Sequence, residues 1–190
     1  MRIWSAVAIG GVMALGAACG AGEPALVIVF DNAGISTSAI EEAVSTAHGV
    51  FRRAGIDMAW NICLLSVAGK AGCHLPSPDE YLRVSVVPRR KGPPATGEAM
   101  GAALTTDGAG TVSYLFAEPA DEFAIRVHQR LGVVLGCVMA HEVGHLLGLR
   151  HSFNGIMKPV FTENDMVAAS LGRFNLTIQE ARARRVNPIR

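Results

Sequence analysis

Residues 141–151 carry the side chains whose types and spacing can do chemistry: His141-Glu142-Val143-Gly144-His145-Leu146-Leu147-Gly148-Leu149-Arg150-His151. His141 and His145 are one helical turn apart, so on a helix both imidazoles leave the same face and can bind one metal ion. Glu142 is rotated by about 100° from His141, which lets it act on a water beside that metal without being a ligand. Gly148 can take a positive φ, end the helix and turn the chain sharply. That turn lets His151 approach the same metal from outside the helix. Three neutral imidazoles leave one position for water, the arrangement of a catalytic zinc site rather than a closed structural one. Zinc lowers the pKa of such a water toward about 7. Glu142 would take its proton as it attacks a carbonyl and then deliver it to the leaving amine.

The plainest competing reading is an amphipathic helix on which two His align by chance, with His151 a surface residue. An apolar helix has no other reason to carry His-Glu-x-x-His, and Gly148 with His151 at fixed spacing weakens that reading further. The leading functional expectation is a secreted zinc endopeptidase with Glu142 as general base. The alternative from another class is an exported, non-catalytic zinc- or peptide-binding protein, against which the intact Glu142 argues. A zinc hydrolase acting on a non-peptide amide is a third reading that the motif alone leaves open.

The elements that must position these residues read as one α/β (α+β) domain. Ala25 to Phe30 is a short apolar, β-branched run, hence a buried strand. Ser36 or Thr37 can cap a helix over about residues 38–54, with Ile40, Val44, Ala47, Val50 and Phe51 on one face and Gly55 as its stop. Met58 to Leu65 and Tyr81 to Pro88 read as two further strands. Glu98 to Leu104 and Thr111 to Ala117 read as two more, around a Thr106-Asp107-Gly108-Ala109-Gly110 turn. Asp121 can cap one long helix from Glu122 to Leu147, and a last helical region covers about 163–186, broken near Gly172. Thr162 with Asp165 and Thr177 with Glu180 fit capping boxes.

The chain has 190 residues, with 17 Lys plus Arg against 16 Asp plus Glu, which excludes the sequence-wide basic signal of a nucleic-acid binder. A hydrophobic fraction of 50% excludes a disordered chain. Met1-Arg2, the uncharged run Ile3 to Leu15 and the small residues Gly16-Ala17-Ala18 together read as an export signal over residues 1–22. The domain is then 23–190. Gly16-Ala17-Ala18-Cys19 also resembles a lipoprotein box, so the exported protein is expected to be secreted or periplasmic, or lipid-anchored through Cys19. No later apolar run has the roughly 20 residues that a transmembrane helix needs. In an oxidising compartment Cys63 and Cys73 can pair across a turn-rich stretch, which leaves Cys137 as a buried free thiol. His48, His74 and His128 read as surface or packing residues, and Arg182 to Arg185 as a solvated helix end.

The segment resembles the metzincin clan of zinc endopeptidases, whose signature is HExxHxxGxxH followed by a Met-turn. Every fixed position of that signature is present, and the Met-turn candidate is Gly155-Ile156-Met157. Ser152 after the third His and Pro159 after the Met are most similar to matrixins. The resemblance implies a zincin-like fold: a twisted mixed sheet, an active-site helix and a small C-terminal helical subdomain. It also implies one catalytic Zn2+ held by His141, His145 and His151, with Met157 beneath it. A peptide substrate would lie along an edge strand, and residues 156–161 would wall the S1′ pocket. Glu98 to Leu104 is the candidate edge, because Gly101, Ala102 and Ala103 let another backbone approach. A monomer with no nucleic-acid partner is expected. Two departures stand out: only five residues separate His151 from Met157, and Pro159 takes the place of the Met-x-Tyr tyrosine of astacins and serralysins.

Overall fold

Five strands form one mixed sheet in the order β2-β1-β3-β5-β4 in the computed structural model, which describes residues 24–64, 73–88, 99–106 and 109–186. The export-signal reading of residues 1–22, with Cys19, lies outside the described residues, as do Glu98 of the expected edge strand and Asp107-Gly108 of the expected turn. The strands are β1 (Ala25–Asp31), β2 (Met58–Leu64), β3 (Tyr81–Val87), β4 (Gly101–Thr106) and β5 (Ala109–Phe116). β1 is parallel to β2 and β3, β3 is parallel to β5, and β4 alone runs antiparallel, paired to β5 at the edge.

Alternation along the strands explains how both faces of the sheet are filled. Val27 and Val29 of β1 join Val84 and Val86 of β3 in the main core, whereas Ile28 and Phe30 face the other way, onto Cys63 and Tyr81. The helix α1 (Thr37–Arg53) covers the main-core face with Ile40, Ala43, Ala47, Val50 and Phe51. Each large aliphatic or aromatic side chain buried in this way contributes about 1.5–3 kcal/mol. Ser36 caps α1, its hydroxyl accepting from the Ala39 N–H.

The long helix expected from Glu122 to Leu147 is in fact two: α2 (Ala117–Arg126) and α3 (Leu131–Leu146). Asp121 lies inside α2 rather than capping a helix. The break falls at His128, whose φ is +52°. The Gln129 N–H reaches back to Ala124 O and the Val127 N–H to Phe123 O, so α2 ends in a wound turn before the chain sets off again at Arg130. No Gly or Pro marks the place. Two packing demands separate the pieces: α2 buries only Ala117, Ala120, Phe123 and Ala124, whereas α3 is buried along nearly its whole length.

The last elements are α4 (Glu163–Ser170) and α5 (Ile178–Val186). Both expected capping boxes are present: Thr162 exchanges hydrogen bonds with Asp165, and Thr177 with Glu180. Cys63 and Cys73 form a disulfide with their Cα atoms 5.7 Å apart, and Cys137 is a buried free thiol, as the sequence suggests. No helix among the described residues is long and apolar enough to cross a membrane.

Candidate active site

α3 ends in a turn that its sequence dictates. The Gly148 N–H donates to His145 O and the Leu149 N–H to Gly144 O, a pairing that requires the left-handed φ of +81° found at Gly148. The chain therefore doubles back, and His151 arrives beside the two histidines of the helix. One coordinating atom from each of His141, His145 and His151 lies within 4.8 Å of the others. His145 Nε2 is 3.0 Å from His141 Nε2 and 3.1 Å from His151 Nε2.

The tautomers follow from the partners. His141 Nδ1 lies 2.8 Å from Ile156 O, and His145 Nδ1 lies 2.8 Å from Leu149 O. A carbonyl can only accept, so each Nδ1 carries the proton and each Nε2 presents a lone pair. Two lone pairs about 3 Å apart repel, and a cation between them is what the arrangement suits. The nitrogens of a tetrahedral zinc site are about 3.3 Å apart, close to the spacing found here. Burial pushes the His141 pKa down to about 4 despite the opposing hydrogen bond to Ile156, and burial also lowers that of His145. Both rings are thus neutral at pH 7, the state in which imidazole ligates a metal. His48, His74 and His128 take no part in this group.

Met157 is fully buried directly under α3, where a Cβ on Gly144 would come within 2.5 Å of its Sδ. The short link from His151 closes on itself, the Ser152 N–H donating to Met157 O. Ile156 is held at both ends. Its carbonyl accepts from His141, and its N–H donates to Asn175 O, while Asn175 Oδ1 accepts from Arg53 Nε of α1. The orientation of one imidazole is thereby tied to α1.

Glu142 is buried, and desolvation raises its carboxyl pKa to about 8. It lines, with the three histidines, an open cavity of about 720 Å³. The edge strand β4 forms one wall through Gly101, Ala102 and Ala103, and Lys158 to Phe161 form another. Gly101 sits so near Glu142 that a Cβ there would lie 2.5 Å from Oε1. Of the three small residues of β4, Gly101 thus makes room for Glu142.

Two contributions to the site go unread in the sequence. One is the pair of backbone carbonyls that set the ring tautomers, for which no sequence signal exists. The other is α2, whose Pro119, Phe123 and Arg126 line the cavity. Their spacing, i, i+4, i+7, is a helical face and a usable signal, obscured by reading α2 as the start of α3.

The sheet, the active-site helix and the converging histidines define a zincin-like fold of metzincin type. Residues 96–173, which hold the whole site, match the family model of Peptidase_M10, the matrixins. Among solved structures, the fold is similar to that of an archaemetzincin from Methanopyrus kandleri, with a TM-score of 0.54 and 13% identity over 89% of this chain and 98% of that one. No curated protein matches the chain. The matrixin match, the fold and the donor set together make this chain a zinc metallopeptidase, with a histidine group suited to one catalytic zinc ion.

Proposed function

We propose that the protein is an exported endopeptidase in which His141, His145 and His151 hold the zinc and Glu142 is the general base. The observation that carries the reading is the convergence of the three imidazole nitrogens with a buried Glu142 on one open cavity beside the edge strand β4. When bound, zinc supplies Lewis acidity that polarises a peptide carbonyl and acidifies water. The residues of the chain supply the rest. Ile156 O and Leu149 O orient the rings, and Met157 packs beneath the helix that carries them. β4 offers its free edge to an extended substrate backbone. Glu142 takes the proton of the attacking water as the C–O bond forms, then gives it to the amide nitrogen as the C–N bond breaks. Export is supported by the Cys63–Cys73 disulfide, since such bonds persist in oxidising compartments.

The test is cleavage of a mixed peptide library by zinc-loaded protein beside Glu142→Ala. Cleavage by the parent alone, with zinc at one equivalent in both, supports the peptidase and its base. One equivalent of zinc with no cleavage by either protein overturns the endopeptidase reading. Mass spectrometry of protein recovered from the producing cells tests export: chains lacking the first residues and found outside the cytoplasm support it, and full-length cytoplasmic chains overturn it.

A further inference from the structure

The two histidines of α3 are oriented in different ways. The carbonyl that fixes His145, Leu149 O, lies four residues on at the end of the same helix, where the Gly148 turn places it. The carbonyl that fixes His141 belongs to Ile156, fifteen residues away in the link between His151 and Met157. That link is neither helix nor strand. Two of its backbone hydrogen bonds stay local, from Ser152 N–H to Met157 O and from Lys158 N–H to Gly155 O. That of Ile156 leaves the link, its N–H donating to Asn175 O at 3.0 Å.

Asn175 is in turn held by its side chain. Its Nδ2–H donates to Gly172 O at 3.0 Å, just past α4. Its Oδ1 accepts from Arg53 Nε, in the last turn of α1, at 2.5 Å. The donor is charged, which makes this bond stronger than one between neutral groups. Two glycines leave the room. A Cβ on Gly155, whose φ is +74°, would come within 2.5 Å of Asn175 O, and a Cβ on Gly49 within 3.0 Å of Arg53 Nη1. A continuous path of contacts thus runs from the Arg53 guanidinium through Asn175 and Ile156 to the His141 ring.

We propose that Arg53 and Asn175 are positioning residues for the zinc centre, fixing the Ile156 carbonyl and through it the His141 ring from a helix that supplies no ligand. The inference rests on the reading of His141, His145 and His151 as the zinc ligands. A hydrogen bond at the far nitrogen of a ligating imidazole sets the ring's direction and raises its basicity. Without the Arg53 donor, Asn175 and the Ile156 carbonyl lose their tie to α1, and the ring is held less firmly toward the metal.

The experiment measures the zinc dissociation constant by competition with a chromophoric chelator. The proteins are the parent, Arg53→Met, Asn175→Ala, their double variant, Arg130→Ala and His141→Ala. Methionine keeps a flexible stem and removes the donor, and Arg53 is exposed, so the core is untouched. Arg130→Ala is the control. It breaks the 2.8 Å ion pair with Glu42, a tie between α1 and the start of α3 that does not reach Ile156. Arg53→Met and Asn175→Ala are each expected to weaken zinc binding about tenfold, the scale for losing an outer partner of a ligand. The double variant should be no weaker than Asn175→Ala, because the two residues act on one path. In proton–nitrogen NMR, the Nδ1–H signal that His141→Ala lacks should exchange with solvent faster in Arg53→Met than in the parent. Arg130→Ala should match the parent in both measurements. Unchanged zinc affinity in Arg53→Met, beside a large loss in His141→Ala, overturns the positioning role and leaves the zinc site standing. Equal losses in Arg53→Met and Arg130→Ala, additive losses in the double variant, or an unchanged exchange rate overturn it likewise. Zinc held as tightly by His141→Ala as by the parent overturns the ligand assignment and the proposal with it.

Discussion

Gly101 lacks a side chain because the Glu142 carboxylate occupies the space where one would sit. Gly101→Ala must therefore displace Glu142 while leaving the three histidines alone. The expected outcome is one bound zinc, measured by metal analysis, with kcat lowered on the order of a hundredfold, the effect of an ångström-scale misplacement of a catalytic group. Unchanged kcat would show that Glu142 does not need its present position. Cys137 makes a second residue-scale prediction. Burial lifts its pKa to about 12, against an ordinary value near 9. The folded thiol stays protonated where the unfolded one ionises, so unfolding releases a proton and stability falls as pH rises from about 9 to 12. At pH 8 a thiol reagent should label Cys137 only after denaturant is added, and labelling of the native protein at the rate of a free thiol would refute its enclosure.

At the scale of elements, α4 depends on its N-terminal cap. Thr162 and Asp165 bond each other's backbone N–H groups, and Asp165 also holds Lys158, which follows Met157 directly. Burial works against the charged Asp165, but hydrogen bonds from Lys158 and Thr162 outweigh it and hold the carboxyl below its ordinary pKa. Its stabilising effect is thus complete above the ordinary carboxylate range and is lost as pH falls through the lowered value. Thr162→Ala should cost about 1 kcal/mol in urea unfolding at pH 7. Asp165→Asn should flatten the acid limb of the stability–pH curve, and an unaltered limb would dismiss the ion pair. The elements also show where sequence reading succeeds. β1, β2, β3 and α1 announce themselves because β-branched runs and a capped apolar face are local signals. So is His-Glu-x-x-His with its Gly148 turn. The α2–α3 break is different: Val127 and His128 have nothing local to stop a helix, and the separation comes from the surfaces that Phe123 and Val134 bury. With the break hidden, the Arg126 wall of the cavity was hidden too.

At the scale of the whole molecule, the Cys63–Cys73 bridge, ten residues apart in sequence, ties the edge strand β2 to the segment that leads to β3. Cys63 is fully buried in the smaller core with Ile28, Phe30 and Tyr81. Cys63→Ser together with Cys73→Ser should lower unfolding free energy by about 2–4 kcal/mol. Zinc stoichiometry should not change, because the bridge lies on the face of the sheet away from α3. Equal urea midpoints for the two proteins would rule out a structural role for the bridge.

The suspension of Ile156 between His141 and Asn175 has a consequence in time. A chain growing from its N-terminus possesses His141, His145 and His151 while Asn175 is still unmade. Until that late residue arrives, nothing on the Asn175 side holds the Ile156 N–H, and the carbonyl that aligns the first imidazole is not anchored. Alignment of the first imidazole therefore waits for Asn175, which follows all three histidines in the chain.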